Sequence, residues 1–237
     1  MRRLPSKNPR AFLDSSPSTK NTRTGQRPRT LENGKSMSHG AIPGYEKHAE
    51  KLSDRYESVL FEKVHGWLLP ILGEKRGRAL DIGAGSGRDA AGLSRLGFRV
   101  VAVEPSGRMR AEGQKRHPGL SVEWIDSSLP DLSSLKKGSF DLILASAVWM
   151  HLSPADRPRA FQRMASLLNP GAILAMTMQD GPADAEFPTY PVPVGEVELL
   201  ARENRMEILF FENQKDLLGR NGITWFHFAM RPQLIRP

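Results

Sequence analysis

The sequence predicts an α/β fold built on a mostly parallel sheet. Three observations carry this. Five short, largely apolar runs alternate with helix-patterned segments between residues 78 and 178. Apolar runs without polar alternation are the mark of strands covered on both faces. A stretch of small residues at 83–87 separates the first run from its helix, as a tight strand-to-helix turn requires. Two further strand-like runs near the C-terminus fit an antiparallel pair at the sheet edge.

The elements follow in order. Between Tyr45 and Leu72, the residues Leu52, Val59, Leu60, Val64, Trp67, Leu68 and Ile71 recur mostly at three- and four-residue spacing, which predicts one or two amphipathic helices. "RALDI" (78–82) is a buried strand, 87–96 a helix and "FRVVAVE" (98–104) a second strand. Residues 106–116 read as helix, "LSVEWID" (120–126) as strand and "SFDLILASAV" (139–148) as a fourth strand. The helix at 154–171 ends on Asn169-Pro170-Gly171, and "AILAMTM" (172–178) is the fifth strand. A Pro-rich segment (181–194) precedes a helix (195–204) and the terminal strands 206–211 and 223–230.

The 237 residues carry a formal charge of +8, unevenly spread. Residues 1–40 hold nine Lys/Arg against Asp14 and Glu32, whereas residues 41–237 are near neutral. A neutral folded part argues against duplex binding, where phosphate neutralisation dominates affinity. The basic stretch lacks apolar periodicity, carries Pro5, Pro9, Pro17 and Pro28, and is expected to be disordered. It has no secretory apolar core. An inert extension, a targeting segment and a polyanion-binding arm all remain open for it, and Met37 is a second candidate start. The expected division is a basic extension (1–40) and one domain (41–237). The absence of cysteine excludes disulfides, thiolate metal sites and cysteine nucleophiles. No apolar run reaches the roughly 18 residues of a membrane span. The expectation is a cytoplasmic protein.

The glycine stretch points to a nucleoside-bearing cofactor. Its spacing is Asp81-x-Gly83-x-Gly85-x-Gly87, with Arg88 where a dinucleotide fingerprint has its last glycine. Asp81 would repel a pyrophosphate but could hold an ammonium group. Glu104, at the end of the second strand, is placed to accept hydrogen bonds from both hydroxyls of a ribose. An ammonium and a ribose together describe S-adenosylmethionine. Arg88 opposes the helix macrodipole, so it is expected either to meet a ligand carboxylate or to turn to solvent.

"LDIGAGSG", "VVAVEPS", "WIDSSLPDL", "FDLILASAVWMHL" and "LLNPGAIL", in this order and spacing, resemble the motifs of class I S-adenosylmethionine-dependent methyltransferases. The resemblance covers about residues 45–230. It implies a Rossmann-like sheet of seven strands in the order 3-2-1-4-5-7-6, the seventh antiparallel, with helices on both faces and an N-terminal helical cap. It places Gly83, Ala84 and Gly85 along the methionine moiety, with Asp81 beneath its amino group. Glu104 would hold the ribose, and Pro105 and Met109 would flank the adenine. Asp126 would accept from its amino group, with Ser127 and Ser128 nearby, and Ser146 would face methionine and acceptor. Tyr45 and Tyr56 either close over the cofactor or pack. The segment 181–194, with Phe187 and Tyr190, is the expected substrate lid.

A small-molecule acceptor is expected. The amino-methyltransferase tetrad is replaced by Ser146-Ala147-Val148-Trp149, and pyrimidine C5-methylation lacks its cysteine. No carboxylate cluster for a metal is visible at the fourth strand's end. His151 is the candidate base there, against a pocket-shaping role; Trp149 is a candidate pocket wall or core residue. A cofactor-binding protein without turnover, and an RNA or protein methyltransferase using the basic stretch, are the alternatives.

Overall fold

A computed structural model describes residues 40–74, 76–182, 185–217 and 219–233. The expected extension therefore lies outside the described residues, apart from Gly40. Three helices open the described chain: α1 (Ile42–Glu57), α2 (Phe61–His65) and α3 (Leu69–Leu72). Then come β1 (Arg78–Ile82), α4 (Arg88–Arg95), β2 (Arg99–Val103), α5 (Gly107–Arg116), β3 (Val122–Ile125) and β4 (Phe140–Ser146). They are followed by α6 (Arg157–Leu167), β5 (Leu168–Asp180), α7 (Val194–Glu203), β6 (Met206–Lys215) and β7 (Thr224–Pro232).

The strands form one sheet of order β3-β2-β1-β4-β5-β7-β6. β1 to β5 pair in parallel, and β7 runs antiparallel to both β5 and β6. The order reverses between β1 and β4, so a crevice opens at the C-terminal ends of these strands.

The strands are apolar on both faces because both faces are covered. Leu80, Ile82, Val101, Val103, Ile143 and Leu174 share one core with Phe161 and Met164 of α6 and Val197 and Leu200 of α7. Their strand neighbours Ala79, Val100, Ala102, Leu142, Leu144 and Ile173 share another with Phe61, Leu68, Leu72, Ala90 and Leu93. Successive residues of one strand thus serve opposite cores.

Three boundaries differ from the sequence reading. The N-terminal region is three helices, with α1 kinked at His48. The Asn169-Pro170-Gly171 triplet does not close α6 but opens β5, where pairing to β4 shifts register between Phe140 and Leu142. β6 continues through the polar residues 212–215, because Gln214 and Lys215 still pair with Trp225 and Thr224. Among the described residues, no helix is long and apolar enough to cross a membrane.

The cap is fastened to the sheet at one close approach. A Cβ on Gly92 of α4 would strike the ring of Phe61 in α2. Gly92→Ala should gain roughly 1 kcal/mol of helix propensity but lose about 1–3 kcal/mol to overpacking. A net fall in urea-unfolding free energy is expected; a stabilised variant would show that α2 does not dock here.

Candidate active site

The turn between β1 and α4 explains the alternating glycines. Gly83, Gly85 and Gly87 have φ of 70°, 54° and 82°, the left-handed region. Other residues pay roughly 1–2 kcal/mol to stay there. A Cβ on Gly83 would strike Val148, whereas Gly85 faces an open space rimmed by Met109 and Tyr56. The turn is tied to β2: Gly83 and Ala84 N–H both donate to Val103 O, at 2.7 and 3.0 Å. Gly85 N–H donates to Glu104 Oε2 at 3.0 Å, and Gly87 N–H to Ala84 O at 2.8 Å. These donors are spent inside the protein. A phosphate cradle needs them free, so the turn does not suit a pyrophosphate.

Glu104 closes the same space. Its Oε1 accepts from Ser106 N–H at 2.8 Å. Each carboxylate oxygen therefore keeps a lone pair for a ligand hydroxyl. Burial pushes the Glu104 carboxyl above its ordinary value, against the bonds from Ser106 and Gly85. Asp81, at the end of β1, is 1% exposed, and its Oδ2 has no hydrogen-bond partner. Burial, then the charge of Asp89, pushes its carboxyl well up. An orphaned buried acceptor beside an open glycine turn is what a ligand ammonium would complete.

Gly83, Ala84, Gly85, Arg88, Glu104, Pro105, Ser127, Ser128, Ser146 and His151 all line one cavity. Asp81 does not line it but stands behind the turn. Met109 is fully buried against Ala49 and Leu52 of α1, and Asp126 is turned outward to Arg110 at 2.9 Å, its side chain 70% exposed. These two residues flank the cofactor space without lining it, because Arg110 claims the Asp126 carboxylate and α1 covers Met109.

Residues 80–176 match the family model described as a methyltransferase domain. Over that stretch the chain matches a methyltransferase domain, and its sheet has the strand order that the motif resemblance implied. It is similar to an uncharacterised methyltransferase of Alkaliphilus oremlandii, 30% identical over 127 residues, 53% of this chain and 55% of the relative. A ubiquinone biosynthesis O-methyltransferase of Nitrobacter winogradskyi is 33% identical over 102 residues, 41% of this chain and 37% of that protein. The aligned stretches thus span about half, or less, of these relatives. Among solved structures, a methyltransferase of Leishmania major superposes with a TM-score of 0.69 at 20% identity, covering 82% of this chain and 83% of that one. The 1,6-didemethyltoxoflavin-N1-methyltransferase of Burkholderia thailandensis gives 0.66 at 20% identity, covering 86% and 93%. At this identity the superpositions establish the fold.

In this chain, the first turn of α4 is not left for a ligand to neutralise. Asp89 grips Arg88 with two bonds, Nε to Oδ1 at 2.7 Å and Nη2 to Oδ2 at 3.1 Å. Arg88 Nη1 donates to Tyr56 O at 3.3 Å. Of the two expected placements of Arg88, the turn to solvent fails: its side chain is 18% exposed and lines the cavity. Asp89 also accepts from His65 Nε2 at 2.9 Å, deep beneath α2. Burial works to raise the Asp89 carboxyl, but His65 and Arg88 outweigh it and hold it below the usual range.

α1 lies over the cavity and is clasped to it. Glu57 Oε1 accepts from Ser86 Oγ at 2.7 Å and from His117 Nε2 at 3.0 Å, joining α1 to the glycine turn and to the end of α5. At its other end, the Tyr45 hydroxyl lies 3.0 Å from His151 Nε2. His151 Nδ1 donates to Pro188 O at 2.8 Å, which leaves Nε2 to accept from Tyr45. Tyr45 is also bonded to Tyr56, whose phenol burial pushes up and the Tyr45 bond partly lowers. Burial pushes the His151 imidazole below its ordinary value, against the bond to Pro188.

A second cavity, of about 400 Å³, opens beyond this pair. Tyr45, Tyr56, Arg88, Ser146, Ala147 and His151 line both cavities. The expected lid supplies Pro182, Phe187 and Thr189 to its wall. The lid is anchored by Tyr190 N–H on Met150 O, and by the buried Arg157, which donates to Pro191 O at 2.9 Å and Glu196 Oε2 at 2.7 Å. Of the two readings of Trp149, pocket wall or core, the structure selects the core. The side chain is fully buried, edge-on to Phe161, and lines neither cavity. Arg55, Thr177, Gln179, Gln214, Asp216, Arg220, Trp225 and His227 line the second cavity and were missed as site residues. Only the period-2 pattern of the last two strands could have grouped some of them.

Two substitutions test the cofactor cavity by calorimetric titration with S-adenosylhomocysteine. Glu104→Gln should weaken binding by about 1.5–3 kcal/mol, as expected for bonds to a charged acceptor. Gly85→Val should abolish it. In the unsubstituted protein, affinity should fall on acidification through a pKa above the ordinary 4.5, because protonation of Glu104 removes acceptor capacity. Unchanged affinity in both variants would place the nucleoside elsewhere.

Proposed function

We propose that the chain transfers a methyl group from S-adenosylmethionine to a small-molecule acceptor. One observation carries this reading: the two cavities share a wall at Tyr45 and His151, so a donor in the first can meet an acceptor in the second. The volume of the second cavity suits a small molecule. The cofactor, when bound, supplies a methyl group already activated by its sulfonium charge.

The chain's own part is alignment and proton removal. Glu104 holds the ribose, Asp81 answers the ammonium, and Pro105 with Ser127 and Ser128 bounds the adenine. Gly83, Ala84 and Gly85 give the methionine moiety its room, and Arg88, held by Asp89, forms the wall between the chambers. Ser146 faces both ligands. The clasped α1 excludes water from above. His151 is the base. Its Nδ1–H is fixed on Pro188, so Nε2 carries the lone pair, and the Tyr45 hydroxyl stands between it and the acceptor as a relay. The lack of cysteine and the near-neutral folded part agree with a cytoplasmic enzyme that acts on neither nucleic acid nor membrane.

The test is label transfer from S-adenosylmethionine into a small-metabolite extract, followed across pH. A histidine with a lowered pKa is neutral down to a lower pH. The rate should therefore rise with pH through a midpoint below the ordinary 6.5. His151→Ala should lower kcat by about 10²–10⁴, remove this limb and leave cofactor affinity nearly intact. A near-normal rate with an unchanged pH profile would exclude His151 as the base. Binding of S-adenosylmethionine without consumption would favour a sensor.

A further inference from the structure

We propose that the second cavity takes an anionic acceptor, a small ring-bearing molecule whose carboxylate or phosphate docks between Arg55 and Arg220. This names the substrate class of the site above and rests on that reading.

The cavity wall holds three guanidinium groups, Arg55, Arg88 and Arg220, against one carboxylate, Asp216. Arg88 is matched by Asp89. Asp216 is saturated by the protein. It accepts from Arg220 Nη2 at 2.6 Å, Arg220 Nε at 3.1 Å, the Arg220 backbone N–H at 3.0 Å and Trp225 Nε1 at 2.8 Å. Its side chain is 2% exposed and that of Arg220 34%, so this pair shows its cation to the cavity. Arg220 Nη1 takes no part in these bonds.

Arg55 is the uncompensated charge. Among the described residues its guanidinium has no ion-pair partner. It sits in the last turn of α1, where a cation suits the helix dipole. That explains its place on the helix but not the positive surplus in the wall, because Arg220 arrives from the loop between β6 and β7. Both guanidinium groups act electrostatically on one point, the Tyr56 hydroxyl between the chambers. Around them the wall is aromatic, with Phe187, Trp225 and Tyr45. Planar guanidinium forks match carboxylate and phosphate oxygens, and the aromatic walls suit a ring.

The test needs no turnover. The full chain, saturated with S-adenosylhomocysteine, is titrated at low ionic strength with benzoate, phenyl phosphate and benzamide. Benzoate or phenyl phosphate should bind at least tenfold tighter than benzamide, and added salt should shrink the difference. The tighter of the two anions identifies the group. Arg55→Gln, at an exposed position, should cut anion affinity at least fivefold and leave S-adenosylhomocysteine binding unchanged. Arg220→Gln should do the same; should it unfold, Arg55→Gln alone decides. Equal binding of benzoate, phenyl phosphate and benzamide, binding of none, or an anion preference that survives Arg55→Gln would overturn the proposal. An intact anion preference with no label transfer would instead sink the methyl-transfer reading alone.

Discussion

The hydrogen bond from Gly85 N–H to Glu104 Oε2 is the constraint on which the site depends. It joins the turn after β1 to the end of β2 and fixes two walls of the first cavity at once. It forms only because the turn can take left-handed backbone at alternate residues. The same turn sends the N–H groups of Gly83, Ala84 and Gly87 back into the protein. A strand–glycine–helix unit that elsewhere suits a phosphate thereby becomes a turn that suits a neutral or cationic group, beside the carboxylate of Glu104.

The helical cap completes what the sheet begins. Three carboxylates crowd the β1–α4 junction, Asp81, Glu104 and Asp89. Arg88 pairs with Asp89 and His65 hydrogen-bonds to it, and the cap delivers the histidine. Burying an unpaired charge is costly, so α2 cannot leave without exposing this pair. α1 then clasps the turn through Glu57 and the fourth-strand loop through Tyr45. Both cavities are in this way bounded by one helix, through Tyr45 and Tyr56.

Much of the fold was legible in the sequence, for a local reason. A strand that feeds a glycine turn, a helix and a second strand ending on an acid is written in 27 consecutive residues, 80–106. The apolar runs showed their double burial directly. The boundaries that slipped did so where local chemistry was overridden by pairing: polar 212–215 joined β6 because β7 lay alongside. In the site, the sequence singled out residues of the glycine turn and of the strand ends, which line the first cavity. It did not pair residues with their distant partners. Asp89 follows Arg88 directly, yet neighbours on a helix normally diverge, so adjacency carried no signal for their chelate. His65 lies 24 residues from Asp89, and nothing local pairs them. Trp149 read as pocket wall or core because it follows the fourth strand; the turn at 149–151 points it into the core.

The most direct measurement is a crystal structure of the full chain with S-adenosylhomocysteine bound. The account predicts the nucleoside in the first cavity, both ribose hydroxyls on Glu104, the amino group towards Asp81 and the thioether sulfur facing the Tyr45–His151 pair. A nucleoside in the second cavity, or a ribose away from Glu104, would contradict it.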